Sequence, residues 1–370
     1  MKSNYRYIVK AFMAMAVIAG TTSCDDFLDR EPMSSISPET YYSTAAQLEA
    51  NLDDEYPNVL PSFGQWTYGI FGEDKGTDNQ IEVNANDRYT QDRWKVPHSE
   101  SDNWKFERIY RINFFLSEAL PKFGEDMSGS QNTISGSVAT IKHYIGEMYF
   151  LRAYEYFKKL QLFGDFPIIN QPLADEMEAL REASKRFPRN EVARFIISDL
   201  DKAYAYMSDV DMATTRINKD AAMLVKSRVA LFEATWLQNF KGTAFVPGGE
   251  GWPGASLHNN YQYPSGNLDN EVKYFLEQAV EASKLVADKY KGNLTENTGV
   301  LQQSADDPSN PYFDMFAQED LSDVKEVLLW RQYARGLSTH NINAAAGRGN
   351  YRIGLTRGFV QNFLMKDGTP

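Results

Sequence analysis

The sequence IGEMYFLRAYEYFKKLQLFGDFPII occupies residues 145–169. Apolar side chains recur in it at three- and four-residue spacing, at Ile145, Tyr149, Ala153, Tyr156 and Leu160. This is the period of a helix that buries one face. The pattern predicts a helix over about 138–163.

A largely helical scaffold is expected around this segment. A helix is predicted over Ala45–Asn58, and the same periodicity marks residues 102–120, 190–207, 219–240 and 270–290. Small residues on the apolar faces allow neighbouring helices to approach closely, as in helix-turn-helix repeats: Ala153, Ala203, Ala222 and Ala279. The connections differ in length, so the regular period of about 34 residues of tetratricopeptide repeats is absent. We therefore predict a mainly α, tetratricopeptide-like fold with little β, in which Glu326–Tyr333 forms a short strand.

Composition and charge restrict the partners. The 370 residues are 42% hydrophobic and 13% aromatic, enough for a large core. The formal net charge is −12, and it becomes −15 when residues 1–23, with three basic and no acidic side chains, are removed. Such a surface repels nucleic acid, which is excluded as an expected partner.

The N-terminus has the pattern of a bacterial lipoprotein signal. A basic start precedes an apolar run over 11–20, small residues and Cys24, the only cysteine of the chain. The run is about half of the roughly 20 residues that a membrane-spanning helix needs. We expect residues 1–23 to be a signal peptide, Cys24 to be lipidated, and 24–43 to form a tether. The alternatives are an ordinary secretory signal or a cytoplasmic protein with an apolar start.

Three motifs in this order resemble a known family. They are Cys24–Asp29, Leu151–Phe157 and Leu162–Ile169, and together they are similar to the SusD/RagB outer-membrane lipoproteins of Bacteroidetes. The resemblance extends over the whole chain after Cys24. It implies a tetratricopeptide-like helical domain over 44–370 that carries long ligand-binding insertions.

The same resemblance implies a role and a location. Family members capture glycans at the cell surface and deliver them to a SusC-type TonB-dependent transporter. Asp25 and Asp26, directly after the lipidated cysteine, resemble a surface-export signal, so we expect a lipid-anchored protein on the outer face of the outer membrane. Family members continue past a motif like Asp367–Pro370, so we expect this chain to lack the family's C-terminal part.

Two long segments without helical periodicity are the predicted insertions, at about 61–102 and 241–269. A sugar ring needs an aromatic platform for its C–H face, with amides and carboxylates at the edge for its hydroxyls. Ten residues of these segments have that chemistry and are the candidate glycan ligands: Trp66, Asp74, Asp78, Asn79, Arg88, Trp94, Trp252, Asn259, Tyr261 and Tyr263. The alternative is that the rings close the base of each loop against the helices. Trp104, Trp236 and Trp330 are assigned to the core.

Common enzyme signatures are missing from the sequence. It contains no H-E-x-x-H metal motif, phosphate-binding loop or G-x-S-x-G elbow. His143 and Glu147 have the spacing of two metal ligands, but we expect an exposed pair on a helix. We therefore predict a non-catalytic protein without metal or cofactor. A surface glycoside hydrolase, which needs only two carboxylates, and a peptide-binding subunit of the same kind of importer remain the alternatives.

Overall fold

Helices dominate the part of the chain that the structure describes. The computed structural model describes residues 41–61, 63, 72–82, 91, 103–124, 126–207, 212–301, 304, 306–334, 339, 353–365 and 367–369. Its helices are α1 (Ala45–Val59), α2 (Glu107–Phe123), α3 (Val138–Phe163), α4 (Met177–Ala183), α5 (Arg189–Tyr206), α6 (Lys219–Asn239), α7 (Leu268–Tyr290), α8 (Pro311–Ala317) and α9 (Arg357–Gln361). A 3₁₀ turn covers Pro253–Ser256. The predicted mainly α fold is confirmed.

The β structure of the described residues is small. Strand β1 (Gln80–Glu82) pairs antiparallel with β2 (Ile353–Leu355), with Ile81 opposite Gly354. The strand predicted over Glu326–Tyr333 is wrong. That segment is irregular, because its backbone bonds to a loop and a side chain of the helical scaffold instead of to another strand.

Helix α3 is the centre of the scaffold. It packs against α1, α2 and α5, while α5 packs on α6 and α6 on α7, so each helix mainly contacts its neighbours as in a solenoid. Because α3 is surrounded, most of its circumference is buried. Its ends are defined by Ser137, whose hydroxyl accepts from Thr140 N–H, and by Gly164 at φ +67°.

Gly146 permits a close approach between α3 and the end of α5. A Cβ at this position would lie 2.9 Å from Met207 N and 3.0 Å from Ala203 O. Both atoms belong to the backbone at the end of α5, so no side-chain rotation relieves the overlap.

We therefore expect Gly146→Ala to destabilise the protein by about 1–3 kcal/mol through overpacking. The sign is opposite to the gain of up to about 1 kcal/mol that alanine brings at an open helical position. Urea unfolding measures the change. Gly358→Ala is the matched control, since a Cβ there meets nothing within 4 Å. Equal stability of the two variants would contradict the close approach.

Within the described residues, arginines on or beside the helices bind buried carboxylates of neighbouring helices, as in the following four pairs. Arg152 on α3 binds Asp199 on α5, Arg189 on α5 binds Glu233 on α6, and Arg194 on α5 binds Glu271 on α7. Arg216, in the loop before α6, binds Glu147 on α3. All four carboxylates are fully buried. Such pairs restrict the register in which the helices pack, because a shifted helix leaves a buried charge without its partner.

The pKa values follow from burial and these partners. Burial raises the pKa of Glu233, against the opposing effect of Arg189. Burial alone also favours a raised pKa for Glu271, but the hydrogen bonds from Arg194, Asn190 and Ser265 outweigh it and lower the pKa. Among the described helices none is both long and apolar enough to cross a membrane.

Candidate functional site

A cleft of about 890 Å³ opens on the helical scaffold. It lies between α1, α3, α6 and the irregular segment 326–332, which we call the strap. Four aromatic residues line it: Tyr56, Phe150, Tyr154 and Trp330. Five polar or charged residues line it too: Asp53, Thr215, Glu326, Arg331 and Gln332. This volume and mixture are typical of small-molecule sites.

Helical spacing places the aromatic side chains of α3 in the cleft. Phe150 and Tyr154 are four residues apart and therefore share a face of the helix. Their ring planes are 11° from parallel, with centroids 6.2 Å apart. Tyr56 and Asp53 come from the last turns of α1, and Leu224 and Val225 of α6 add an apolar surface.

Tyr56 is held rigidly at the cleft. Its hydroxyl donates to Glu147 Oε2 at 2.6 Å and accepts from Ile217 N–H at 2.8 Å. Glu147 in turn binds Arg216 at 2.9 and 3.0 Å, and Arg216 reaches Asp53 at 2.9 Å. Burial, and then the charge of Glu147, raise the pKa of Tyr56 well above its ordinary value. The phenol therefore stays protonated and keeps this side of the cleft in one arrangement.

The same network includes His143, whose Nε2 lies 3.0 Å from Ile217 O and 3.1 Å from Glu147 Oε1. The expectation of an exposed His143–Glu147 pair is wrong, because α3 is buried on almost all sides. Across the described residues, no group of three or more His, Cys, Asp or Glu side chains is arranged to hold a metal ion. The pair is part of the ionic network behind the cleft.

Trp330 and Leu328 attach the strap to residues at and before the start of α6. Trp330 N–H donates to Thr214 O at 3.2 Å, and its indole Nε1 donates to Thr214 Oγ1 at 2.8 Å. Asn218 Nδ2 donates to Leu328 O at 2.6 Å. The assignment of Trp330 to the core is wrong, since its ring is half-buried and lines the cleft. The sequence contained little indication that Trp330 lines a cleft, because an apolar run such as Val327–Trp330 does not show which part of the fold it packs against.

The three aromatic candidates of segment 241–269 lie together beside α5 and the loop that follows α3. Trp252 is buried and its indole N–H donates to Asp165 Oδ2 at 2.8 Å. Tyr261 exchanges hydrogen bonds with Asn190, and the Tyr263 hydroxyl donates to Pro247 O. The Tyr261 centroid is 5.6 Å from that of Trp252 and 5.1 Å from that of Tyr263. The hydrogen bonds of Trp252 and Tyr261 thus hold the loop on the scaffold, and that of Tyr263 closes the loop on itself. These contacts favour the interpretation in which the three rings close the base of the loop.

The remaining candidates lie elsewhere. Asn259 is exposed. Asp74, Asp78 and Asn79 precede β1, where Asn79 O accepts from Thr356 N–H and the Thr356 hydroxyl donates to Asp78 O. Three candidates of the first insertion, together with the lipidation site and the whole signal segment, lie outside the described residues: Trp66, Arg88, Trp94 and Cys24.

The first insertion leaves the scaffold beside the cleft. Pro61 lines the cleft two residues after α1, and the hydroxyl of Tyr333, the residue after the strap, lies 3.5 Å from Phe63 O. The first residues of the predicted insertion over 61–102 therefore lie beside the C-terminal end of the strap.

A family model for SusD-like proteins, described as starch-binding and associating with the outer membrane, matches residues 26–231. The chain belongs to the SusD-like family. The family resemblance seen in the sequence is thereby confirmed. In this SusD-like chain the match includes α1, α3 and the first half of α6, which form three sides of the cleft, and ends before the strap.

The proteins that are similar to this chain align with it over only part of their own length. Two SusD-like proteins of Formosa agariphila are 25% and 24% identical to it over 233 and 253 residues. These alignments cover 58% and 65% of the chain but 41% and 46% of the relatives, so the chain matches less than half of their length. A SusD-like carbohydrate-binding protein of Bacteroides fragilis shares the fold, with a TM-score of 0.51 and 14% identity, over 90% of this chain and 55% of the other.

Proposed function

We propose that this SusD-like chain captures an oligo- or polysaccharide in the cleft without converting it. The observation that carries the proposal is the lining of the cleft, which combines aromatic rings with amide, carboxylate, hydroxyl and guanidinium groups. Aromatic faces stack on the C–H face of a sugar ring, and the polar groups bond its hydroxyls. The family's description as starch-binding supports the same ligand class.

Binding without hydrolysis is supported by the way the carboxylates of the cleft are used. Asp53 is paired with Arg216, and Glu326 accepts a hydrogen bond from Thr295 N–H at 3.1 Å. A retaining or inverting glycosidase needs two carboxyl groups free to act on one glycosidic bond. Engaged carboxylates of this kind suit recognition of hydroxyls better than proton transfer.

The proposal extends to the cell surface. Lipidation at Cys24 would anchor the protein to the outer membrane, with which the family is described as associating. A tethered binder raises the effective concentration of its cargo beside a SusC-type TonB-dependent transporter, so weak individual sites suffice.

The proposal is tested by native gel electrophoresis of the purified protein in gels cast with soluble starch, laminarin, xylan or pectin. Reducing ends are assayed in parallel. Retardation by one glycan without new reducing ends is the expected result. New reducing ends would establish a hydrolase instead, and mobility unchanged in every gel would reject glycan capture and favour a peptide cargo.

Trp330→Ala is expected to weaken binding of the retained glycan by about tenfold or more, because it removes the aromatic ring that the strap brings into the cleft. Retardation in gels of graded polysaccharide concentration gives the affinity. Phe316→Ala is the matched control, since it removes a ring that is 71% exposed and not among the cleft residues. Equal retardation of both variants would place the binding site outside the cleft.

A further inference from the structure

The ring of Trp330 depends on one residue of the scaffold for its orientation. Thr214 accepts two hydrogen bonds from it: its backbone oxygen from Trp330 N–H at 3.2 Å, and its hydroxyl from the indole Nε1–H at 2.8 Å. The indole has no other polar atom, so this hydroxyl satisfies the side chain's single donor. A side chain held at both its backbone and its ring edge has little rotational freedom left.

Contact with the hydrophobic core restrains Trp330 less than it restrains Leu328 and Leu329. Leu328 and Leu329 pack against the hydrophobic core, but Trp330 is not among the apolar residues in contact with that core within the described part of the chain. No residue of the strap itself is fully buried. The two leucines therefore anchor the strap on the core, whereas the indole borders the cleft.

The strap has attachments that do not involve the Thr214 hydroxyl. Asn218 Nδ2 binds Leu328 O, and the Thr214 backbone oxygen binds Trp330 N–H. Removing the hydroxyl alone is thus expected to leave the strap docked and to release only the ring. A variant without this hydroxyl therefore tests the orientation of Trp330 without changing the other attachments of the strap.

We infer that Thr214 is a positioning residue for glycan binding, whose hydroxyl sets the plane of the Trp330 ring as the sugar platform of the cleft. The inference rests on the proposed glycan-binding function. Thr214 acts through Trp330 and contacts no sugar itself. A preoriented platform binds more tightly, because the complex does not lose the rotational freedom of the ring.

The experiment compares Thr214→Val, which removes the hydroxyl, with Thr214→Ser, which keeps it. In gels cast with soluble starch or the other three polysaccharides, we expect Thr214→Val to bind about three- to tenfold more weakly than wild type, the equivalent of one hydrogen bond. Thr214→Ser is expected to bind like wild type. Thr235→Val, which removes an exposed hydroxyl that bonds only within α6, is the matched control.

A second readout distinguishes orientation from folding. Fluorine NMR of protein labelled with fluorotryptophan, with the Trp330 signal assigned from Trp330→Phe, is expected to show a shifted or broadened Trp330 signal in Thr214→Val and a native one in Thr214→Ser. The thermal unfolding midpoint is expected to stay near wild type. If valine disturbs the fold, Thr214→Ala removes the same hydroxyl with a smaller side chain and carries the same expectation.

The outcomes separate this inference from the function on which it rests. Thr214→Val should also have no further effect when Trp330 is already alanine, because the two residues act as one unit. If wild type binds a glycan and Thr214→Val binds equally well, the inference is overturned while glycan capture stands. If wild type binds none of the four polysaccharides, glycan capture itself fails and the inference falls with it.

Discussion

Asp199→Ala is expected to lower the free energy of unfolding by about 3–5 kcal/mol. Asp199 is fully buried and bonds Arg152 through both carboxylate oxygens, at 2.7 and 2.8 Å. Burial alone favours a lowered pKa for Arg152, but the hydrogen bonds and charge of Asp199 outweigh it and raise the pKa. Without Asp199 the hydrogen bonds of the guanidinium to Asn113 and to the backbone oxygen of Asn170 remain, and no carboxylate balances its charge between α3 and α5.

Denaturant unfolding followed by circular dichroism measures this loss. Glu277→Ala is the matched control, because it breaks an ion pair with Lys273 in which both side chains are largely exposed. Exposed pairs contribute about 0–1 kcal/mol, so the control should be nearly as stable as wild type. A similar loss of unfolding free energy in the two variants would contradict the expectation that the Arg152–Asp199 pair is shielded from water.

Phe166→Ala is expected to cost a similar amount, about 3–5 kcal/mol, by leaving a cavity. Phe166 is fully buried, and its ring centroid lies 4.9 Å from that of Trp104, 5.2 Å from Phe106 and 5.7 Å from Phe163. Its backbone also forms a β-bridge with Phe187. The residue therefore joins the end of α3 to the segments before α2 and before α5.

The same unfolding measurement applies, with Phe363→Ala as the control. Phe363 is 62% exposed, and truncation of such a surface ring is expected to change stability by no more than about 0.5 kcal/mol. A loss for Phe166→Ala as small as that of the control would mean that the aromatic cluster closes over the vacated space.

The helices were predictable because their signals are local. The period of apolar residues over 138–163 and 219–240 placed α3 and α6 within one residue of their observed ends. Helical periodicity and capping side chains act within a few residues of each other, so a short window of sequence contains them. The short strand expected over Glu326–Tyr333 failed for the opposite reason, since a strand needs a partner from elsewhere in the chain.

The candidate site was much less predictable. Trp252 lies among glycines, and this local sequence favours an exposed ring. In the structure the indole N–H instead donates to Asp165, 87 positions earlier, and the ring is buried against the scaffold. Trp330 lies in an apolar run, and its surroundings favour the core, yet Thr214, 116 positions earlier, holds it at the cleft. In both cases one distant hydrogen-bond acceptor sets the exposure of the ring.

The amino-acid sequence alone was sufficient for the positions of the principal helices and for the family, because each depends on nearby residues or on short motifs. The choice of aromatic rings that face the cleft came from the packing of α1, α3, α6 and the strap. Burial of a side chain depends on which remote atoms surround it, and those contacts exist only once the chain has folded.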